Sequence, residues 1–305
     1  MYKLYETPSS TAKINELADF VEVECIRNDQ TSKRELLAAL GRMEDTDYTD
    51  GVPIDDPLED KLNDVYNELE ERKSNCNNSY PFHLDLQGHV VRTDGNTDLQ
   101  SSYLYKYLLL STRLDMKKHR VQGKLDGTLL FEEVSEVVAK EYLGNRAESY
   151  LFGTASGASF ESKVNSLCRA MNEGRGFINR NQKSAAHIRD DSLDVVAWKP
   201  FTDNDMGKLI AFGQCKTGRN WKRDLESLNP DSFCRKWLQD SPTVLPIRLF
   251  FIAESLLRNE WYTTTTNAGI MFDRCRIMDY SNSIPTEVVE KIRTWTDAAI
   301  SNHLK

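Results

Sequence analysis

The fold of this chain is decided by two short apolar segments, Leu193-Asp194-Val195-Val196-Ala197-Trp198 and Leu209-Ile210-Ala211-Phe212-Gly213-Gln214-Cys215-Lys216. Short apolar runs that are rich in β-branched and aromatic residues are typical of buried strands. Successive side chains of a strand point to opposite faces of the sheet, so Gln214 and Lys216 share one face and Cys215 points to the other. If the two strands are neighbours, Asp194, Gln214 and Lys216 converge on one small patch.

The polar residues of this patch suit chemistry at a metal ion. The carboxylate of Asp194 and the amide oxygen of Gln214 are the hard donors that Mg²⁺ prefers, and Mn²⁺ accepts the same ligands. An amine such as that of Lys216 can orient an attacking water beside the cation or offset charge on a phosphate. The combination predicts metal-dependent hydrolysis of phosphodiester bonds. The simpler alternative is an ordinary strand start and strand end, but a carboxylate next to apolar residues is costly unless it is paired or binds a metal.

The arrangement of Asp194, nineteen intervening residues and Gln214-Cys215-Lys216 resembles the core motif of the PD-(D/E)XK nuclease superfamily. It is most similar to the Mrr-like branch, in which Gln replaces the second acidic residue. The resemblance covers roughly residues 125–255. It implies a restriction-endonuclease-like fold, in which Asp194 binds the metal, Gln214 is the second site residue and Lys216 is catalytic. It also implies an acidic residue on a helix that precedes the Asp-bearing strand.

Two Phe-Glu pairs on predicted helices meet this last requirement. Phe160-Glu161 opens the helix predicted for 160–171, and Phe131-Glu132 lies in the helix predicted for 131–143. In each pair we expect Phe to face the core and Glu to lie at the rim. The shorter connection to Asp194 favours Glu161 as the catalytic and metal-binding glutamate. Glu132 stays open as the alternative, and either residue is equally compatible with an ordinary surface position on an amphipathic helix.

Composition and charge limit the classes of function. The 305 residues suffice for one or two domains, and 28 % charged residues are typical of a globular protein. The formal net charge of −8 argues against a generally basic, histone-like surface. DNA binding needs only a local basic surface, and Arg219, Lys222 and Arg223 form such a cluster just beyond Lys216.

The cysteines and the ends of the chain bear on the compartment. The six cysteines are scattered, with no CxxC pair and no Cys/His spacing that is typical of zinc sites. The polar start of the sequence is unlike a signal peptide, and no run of about 18 apolar residues is present. We therefore expect a cytoplasmic protein with free thiols and no membrane association.

Apolar periodicity predicts two regions. Residues 1–122 form a mainly helical accessory or regulatory region, with a hairpin at 82–91 and a strongly apolar helix at 101–114 that is expected to lie between the two regions. Residues 123–305 form the nuclease-like domain. The fold class expected for this domain is α/β (α+β): a restriction-endonuclease-like mixed sheet flanked by helices, in which 247–253 is a buried central strand.

These observations together predict a Mg²⁺-dependent endonuclease that acts on DNA. Relatives of this kind often serve in bacterial restriction or anti-phage defence, which implies a partner helicase, ATPase or sensor protein. Two alternatives stay open. One is a nuclease-like scaffold that has lost activity and binds partners, which the net charge and Gln214 both allow. The other is an RNase on the same fold.

Overall fold

The N-terminal region combines helices with a small sheet. The computed structural model describes residues 3–4, 6–41, 57–85, 89–153, 158–180 and 191–305. The hairpin predicted for 82–91 is present as an antiparallel pair, although residues 86–88 lie outside this description, and a third strand pairs with it. The elements in chain order are α1 (Ile14–Asn28), β1 (Gln30–Ser32), α2 (Lys33–Gly41), α3 (Pro57–Asn75), β2 (Phe82–Leu84), β3 (Val90–Thr93), α4 (Leu99–Arg113), β4 (Val121–Gln122) and β5 (Leu125–Asp126).

The C-terminal part alternates helices and strands. Side chains cap the starts of its first two helices, because Asp126 accepts a hydrogen bond from the Thr128 amide and Ser159 accepts one from the Ser162 amide. The elements are α5 (Gly127–Leu143), β6 (Glu148–Leu151), α6 (Phe160–Met171), β7 (Val195–Lys199), β8 (Leu209–Lys216), α7 (Pro230–Trp237), β9 (Ile247–Ile252), α8 (Trp261–Ala268), β10 (Ile270–Phe272), α9 (Arg274–Asp279) and α10 (Thr286–His303).

One mixed sheet organises this part. Its strand order is β10-β9-β8-β7-β6. Strands β6, β7 and β8 form an antiparallel meander, whereas β8, β9 and β10 run parallel. The helix α7 connects β8 to β9, as a parallel pair requires. The predicted mixed α/β architecture is confirmed at this level, and β9 lies inside the sheet as its apolar sequence predicts.

Both faces of the sheet are covered. On one face Val196, Trp198 and Phe212 pack against α6 and α7. On the other face Val195 and Ala197 belong to a larger core that also contains α4, α5 and α10. The apolar helix α4 contacts α1, α9 and α10, so it lies between the two regions as expected. The predicted boundary at residues 122/123 is therefore crossed by a continuous core, and its position stays a prediction.

The structure corrects one expectation about the cysteines. Cys76, which follows α3, forms a disulfide with Cys275 of α9, with 4.6 Å between the Cα atoms. The expectation of free thiols is therefore wrong for this pair, because residues 199 positions apart become neighbours only in the folded chain. The remaining four cysteines are free. In the described ranges, none of the helices has both the length and the apolar character needed to cross a bilayer.

A buried cluster of charged residues joins the two regions. We call Asp19, Glu22, Arg72, Arg113 and Arg274 the buried ion cluster, because each is at most 1 % exposed. The oxygens of Asp19 lie 2.6 Å from Arg113 Nε, 2.7 Å from Arg72 Nη1 and 3.1 Å from Arg274 Nη1. Burial alone would raise the pKa of Asp19, but the three guanidinium charges hold it well below its usual range. This carboxylate is the common partner of α3, α4 and α9.

We expect Asp19→Asn to lower the free energy of unfolding by about 3–5 kcal/mol, because three buried guanidinium groups lose their shared carboxylate. Urea denaturation at neutral pH measures the loss. Since the folded pKa of Asp19 is lowered, the difference between wild type and variant is full above the unfolded pKa of about 4 and shrinks as the pH falls through the folded value.

The matched control is Glu24→Gln, which alters the surface pair of Glu24 and Arg27. Exposed pairs contribute little, so the control should lose less than about 1 kcal/mol. Equal losses for Asp19→Asn and Glu24→Gln would contradict the central place of Asp19.

Candidate active site at the ends of β7 and β8

The predicted pairing of the two motif strands is confirmed. β7 and β8 are antiparallel neighbours with Val195 opposite Gly213. Asp194 directly precedes β7, and its Oδ2 accepts a hydrogen bond from the Cys215 amide at 2.7 Å. The carboxylate therefore lies against the main chain between Gln214 and Lys216, and the three predicted residues meet at one end of the sheet.

The side chain of Gln214 is fully buried and contacts Ser227. Ser227 Oγ lies 2.7 Å from Gln214 Nε2, 2.9 Å from Gln214 Oε1 and 2.8 Å from the carbonyl oxygen of Asp224. A hydroxyl has one hydrogen to donate. When Ser227 donates it to Asp224, it accepts from Gln214 Nε2, and Gln214 Oε1 then has lone pairs for a cation.

The ammonium of Lys216 is held by a second residue of the same segment. Its Nζ lies 3.3 Å from Asp224 Oδ2, and the lysine side chain is 30 % exposed. We call residues 217–228 the motif loop, because Asp224 and Ser227 contact the two motif side chains that share a face. Neither Asp224 nor Ser227 is predicted from the sequence as a site residue. The signal available was their position shortly after the strand that carries the motif.

The motif loop is anchored to the N-terminal region through Glu254. Trp221, 1 % exposed, donates from Nε1 to Glu254 Oε2 at 2.6 Å. Glu254 Oε1 accepts from Asn15 Nδ2 at 3.1 Å and from Arg113 Nη2 at 3.4 Å. Burial raises the pKa of Glu254, which the charge of Arg113 opposes. The position of the loop therefore depends on α1 and α4.

The basic residues predicted to contact DNA have acidic neighbours. Lys222 Nζ lies 2.8 Å from Glu260 Oε2, and this pair is partly exposed. Arg219 is half-buried, and burial, followed by the charge of Arg113, lowers its pKa. These cations are therefore part of a mixed-charge surface beside the motif loop.

The two candidate glutamates have different surroundings. A Cβ atom at Gly153 would lie 1.9 Å from Glu132 Oε2, so glycine leaves the room that this carboxylate occupies. The Gly153 amide donates to the carbonyl oxygen of Asp194 at 2.9 Å, which places Glu132 beside the Asp194 segment. Glu161 is exposed in the first turn of α6 and has no hydrogen bond or ion pair to the described residues of the site.

The thiol of Cys215 points to the opposite face of the sheet from Gln214. Burial, followed by the negative charge of Asp194, raises its pKa well above the usual range. A thiol that stays protonated is neither a nucleophile nor a metal ligand.

The donor atoms at this end of the sheet are oxygens. Asp194 and Glu132 contribute carboxylates, and Gln214 contributes an amide oxygen. In the part of the chain that the structure describes, no three His, Cys, Asp or Glu side chains form a group that could hold a metal ion. A metal held here would therefore need the amide oxygen of Gln214 as well as the carboxylates.

We compared the chain with known protein families, curated proteins and solved structures. No protein-family model matches the chain, and neither the curated proteins nor the solved structures contain a match. The resemblance to the PD-(D/E)XK superfamily stays a prediction from the motif.

We expect Trp221→Phe to loosen the motif loop, because an aromatic side chain is kept but the indole N–H that donates to the buried Glu254 is lost. Such a loss costs about 1–3 kcal/mol. Amide hydrogen exchange followed by mass spectrometry should show faster exchange in residues 217–228. The control is Trp198→Phe, because Trp198 Nε1 makes no hydrogen bond to any described residue. Unchanged protection of the loop in Trp221→Phe would contradict its anchoring by Glu254.

Proposed function

We propose that this protein is a metal-dependent endonuclease that hydrolyses phosphodiester bonds in DNA. One observation carries the proposal: the Asp194 carboxylate is hydrogen-bonded to the main chain of the Gln214-Cys215-Lys216 segment. The order of α5, the β6-β7-β8 meander, α7 and the parallel strand β9 supports a restriction-endonuclease-like fold for this part of the chain. Membership of the PD-(D/E)XK superfamily is part of the same proposal.

The donor set fits a hard divalent cation such as Mg²⁺ or Mn²⁺. Two carboxylates and one amide oxygen are typical of such sites, and Gly153 leaves room for the Glu132 carboxylate beside Asp194. Asp194, Gln214 and Glu132 would hold the ion, whereas Glu161 stays the alternative that sequence distance favours. A bound Mg²⁺ would act as a Lewis acid and lower the pKa of a coordinated water.

Besides the metal ion, the ammonium of Lys216 would supply positive charge at the site. Its ammonium would orient the attacking water and offset negative charge that develops on the phosphate. The contact with Asp224 limits the positions that Nζ can occupy, so the lysine meets the substrate from a fixed direction. Asp224 is therefore a positioning residue for Lys216.

We also propose a biological role for the protein in bacterial defence. A component of a bacterial restriction or anti-phage defence system would act in the cytoplasm with a partner helicase, ATPase or sensor protein. The contacts of Glu254 with Asn15, Arg113 and Trp221 support regulation of the site by a partner that binds the N-terminal region, because they connect this region to the motif loop.

We expect the purified protein to cleave plasmid DNA with Mg²⁺ or Mn²⁺ and not with EDTA. Asp194→Ala and Lys216→Ala should each lower the rate at least about a hundredfold, because each removes a group that acts on the reacting phosphate. Asp231→Ala, which alters a surface pair with Arg235, is the control and should keep the wild-type rate.

A substrate panel separates the alternatives. Double-stranded DNA, single-stranded DNA and RNA are compared at equal nucleotide concentration, with each cation and with the predicted partners. Preference for RNA would favour the RNase alternative. Absence of cleavage for all three substrates would contradict the nuclease and leave the scaffold, an alternative that fits the engagement of Gln214 by Ser227.

Two matched variants identify the helical glutamate. We expect Glu132→Gln to lower the cleavage rate about a hundredfold and to raise the Mg²⁺ concentration needed for half-maximal rate, because an amide replaces a carboxylate ligand. Glu161→Gln changes an exposed residue and should keep both values. The reverse result would restore Glu161 as the third ligand.

A further inference from the structure

A cavity of about 300 Å³ lies between the start of α1 and the motif loop. This volume is at the lower end of the range for sites that bind small molecules. Its wall is formed by Arg219 and Lys222 of the motif loop, by Glu254 and Glu260, and by six residues of the N-terminal segment: Ser9, Thr11, Ala12, Lys13, Asn15 and Glu16. The cavity thus has one wall from the N-terminal region and one from the loop that holds the candidate active site.

Positive charge and hydroxyl groups are concentrated on this wall. Lys13 Nζ lies 3.2 Å from Glu260 Oε1, and Lys222 Nζ lies 2.8 Å from Glu260 Oε2. Each ammonium has three hydrogens to donate, so one shared carboxylate leaves donors on both lysines. Ser9 and Thr11 add exposed hydroxyl groups at the same wall. These groups suit an anionic oxygen ligand.

Each carboxylate of the wall already has a cationic neighbour. Glu16 and Glu254 lie 3.7 Å and 3.4 Å from Arg113, which is part of the buried ion cluster. Glu260 is shared between two lysines, and Arg219 adds a further cation. The wall itself has three cations, Lys13, Arg219 and Lys222, and three carboxylates, Glu16, Glu254 and Glu260. The burial and the neighbouring Arg113 that lower the pKa of Arg219 also favour an anion beside it.

The cavity wall contains a buried hydrogen-bond acceptor, the side-chain oxygen of Asn15. Asn15 is 5 % exposed, and its Nδ2 donates to the Glu254 carboxylate at 3.1 Å. Because a carboxylate accepts hydrogen bonds, this contact fixes which end of the amide is the oxygen. Asn15 Oδ1 has no hydrogen-bond partner among the described residues. Such a group is costly unless a ligand or a water donates to it.

We propose that this cavity binds a nucleotide. Arg219, Lys13 and Lys222 contact the phosphate, and Asn15 Oδ1 accepts a hydrogen bond from the base or the sugar. This inference rests on the proposed nuclease function, because the bound nucleotide would belong to the DNA strand that the enzyme cleaves. A free nucleotide has the same chemistry, and the experiment below distinguishes the two.

Occupation of the cavity acts on the motif loop. Arg219 and Lys222 flank Trp221, and the same loop presents Asp224 to Lys216 and Ser227 to Gln214. A phosphate between α1 and Arg219 therefore bridges the N-terminal region and the loop. The cavity is a place where a bound nucleotide changes how firmly the motif residues are held.

The test is isothermal titration of the full chain in EDTA, so that binding is measured without cleavage. The probes are thymidine 5′-monophosphate, a 5′-phosphorylated DNA tetranucleotide and inorganic phosphate. We expect Arg219→Ala and Lys222→Ala to weaken nucleotide binding about tenfold or more, as loss of a charged hydrogen bond does. Lys291→Ala is the matched control, because Lys291 forms a 2.8 Å pair with Glu133 of similar exposure.

Asn15→Ala tests the second contact. It should weaken binding of the nucleotide probes and leave the affinity for inorganic phosphate unchanged, with thermal unfolding of the free protein as the check on folding. Tighter binding of the tetranucleotide identifies the substrate strand as the source, and tighter binding of the monophosphate identifies a free nucleotide.

Several outcomes would overturn the inference. These are no binding of either nucleotide probe, binding of inorganic phosphate alone, or equal affinities for Arg219→Ala, Lys222→Ala and Lys291→Ala. Asp194→Ala should bind nucleotide as the wild type does, since the cavity does not include Asp194. Nucleotide binding without DNA cleavage would refute the nuclease function and support the nucleotide site. DNA cleavage without nucleotide binding would support the nuclease function and refute the nucleotide site.

Discussion

The sharing of one buried carboxylate, that of Asp19, by Arg72, Arg113 and Arg274 is the constraint on which the rest of this structure depends. Four helices, α1, α3, α4 and α9, contribute to this contact, and three of them precede the predicted boundary whereas the fourth follows it. Charges without solvent tolerate little displacement, because a separated guanidinium would remain buried and unpaired. Tyr80 and Tyr105 donate to Glu22 at 2.9 Å and 2.8 Å and complete the acceptors of the cluster. The two regions are thus fixed in one orientation by chemistry as well as by a continuous apolar core.

That orientation reaches the candidate active site through a short series of contacts. Arg113 pairs with Asp19 and also with Glu254, and Glu254 accepts the indole hydrogen of Trp221. Trp221 belongs to the loop that holds Lys216 and Gln214. Each link is buried or partly buried, so each is stronger than an exposed contact would be. A partner that displaces α1 or α4 would therefore alter the motif loop without touching the motif itself.

Local patterns in the sequence predict much of this architecture and only part of its site. Periodicity finds α4, α5 and α6, and the apolar runs find β7, β8 and β9, because each pattern depends on residues within one element. The pairing of β7 with β8 follows from the polar residues that both carry at one end. Asp224 and Ser227 could not be predicted, because they contact Lys216 and Gln214 only after the motif loop folds back on β8. The Cys76–Cys275 bond and the buried ion cluster join residues far apart in sequence. Distance along the chain favours Glu161 as the helical glutamate, whereas the contact of Glu132 with Gly153, beside the Asp194 segment, appears only in the fold.

Gln214 illustrates how an amide changes such a site. The side chain is fully buried, and a carboxylate at this position would be a second charge beside Asp194 with a serine as its neighbour. Burial of such a charge is costly unless a cation is present. The neutral amide has the Ser227 hydroxyl within hydrogen-bond distance of both Nε2 and Oε1, so its burial does not depend on a bound ion. Lys216, paired with Asp224, adds no net charge to this arrangement. This arrangement does not need a bound ion to keep its geometry, because the protein itself supplies a partner for each motif side chain.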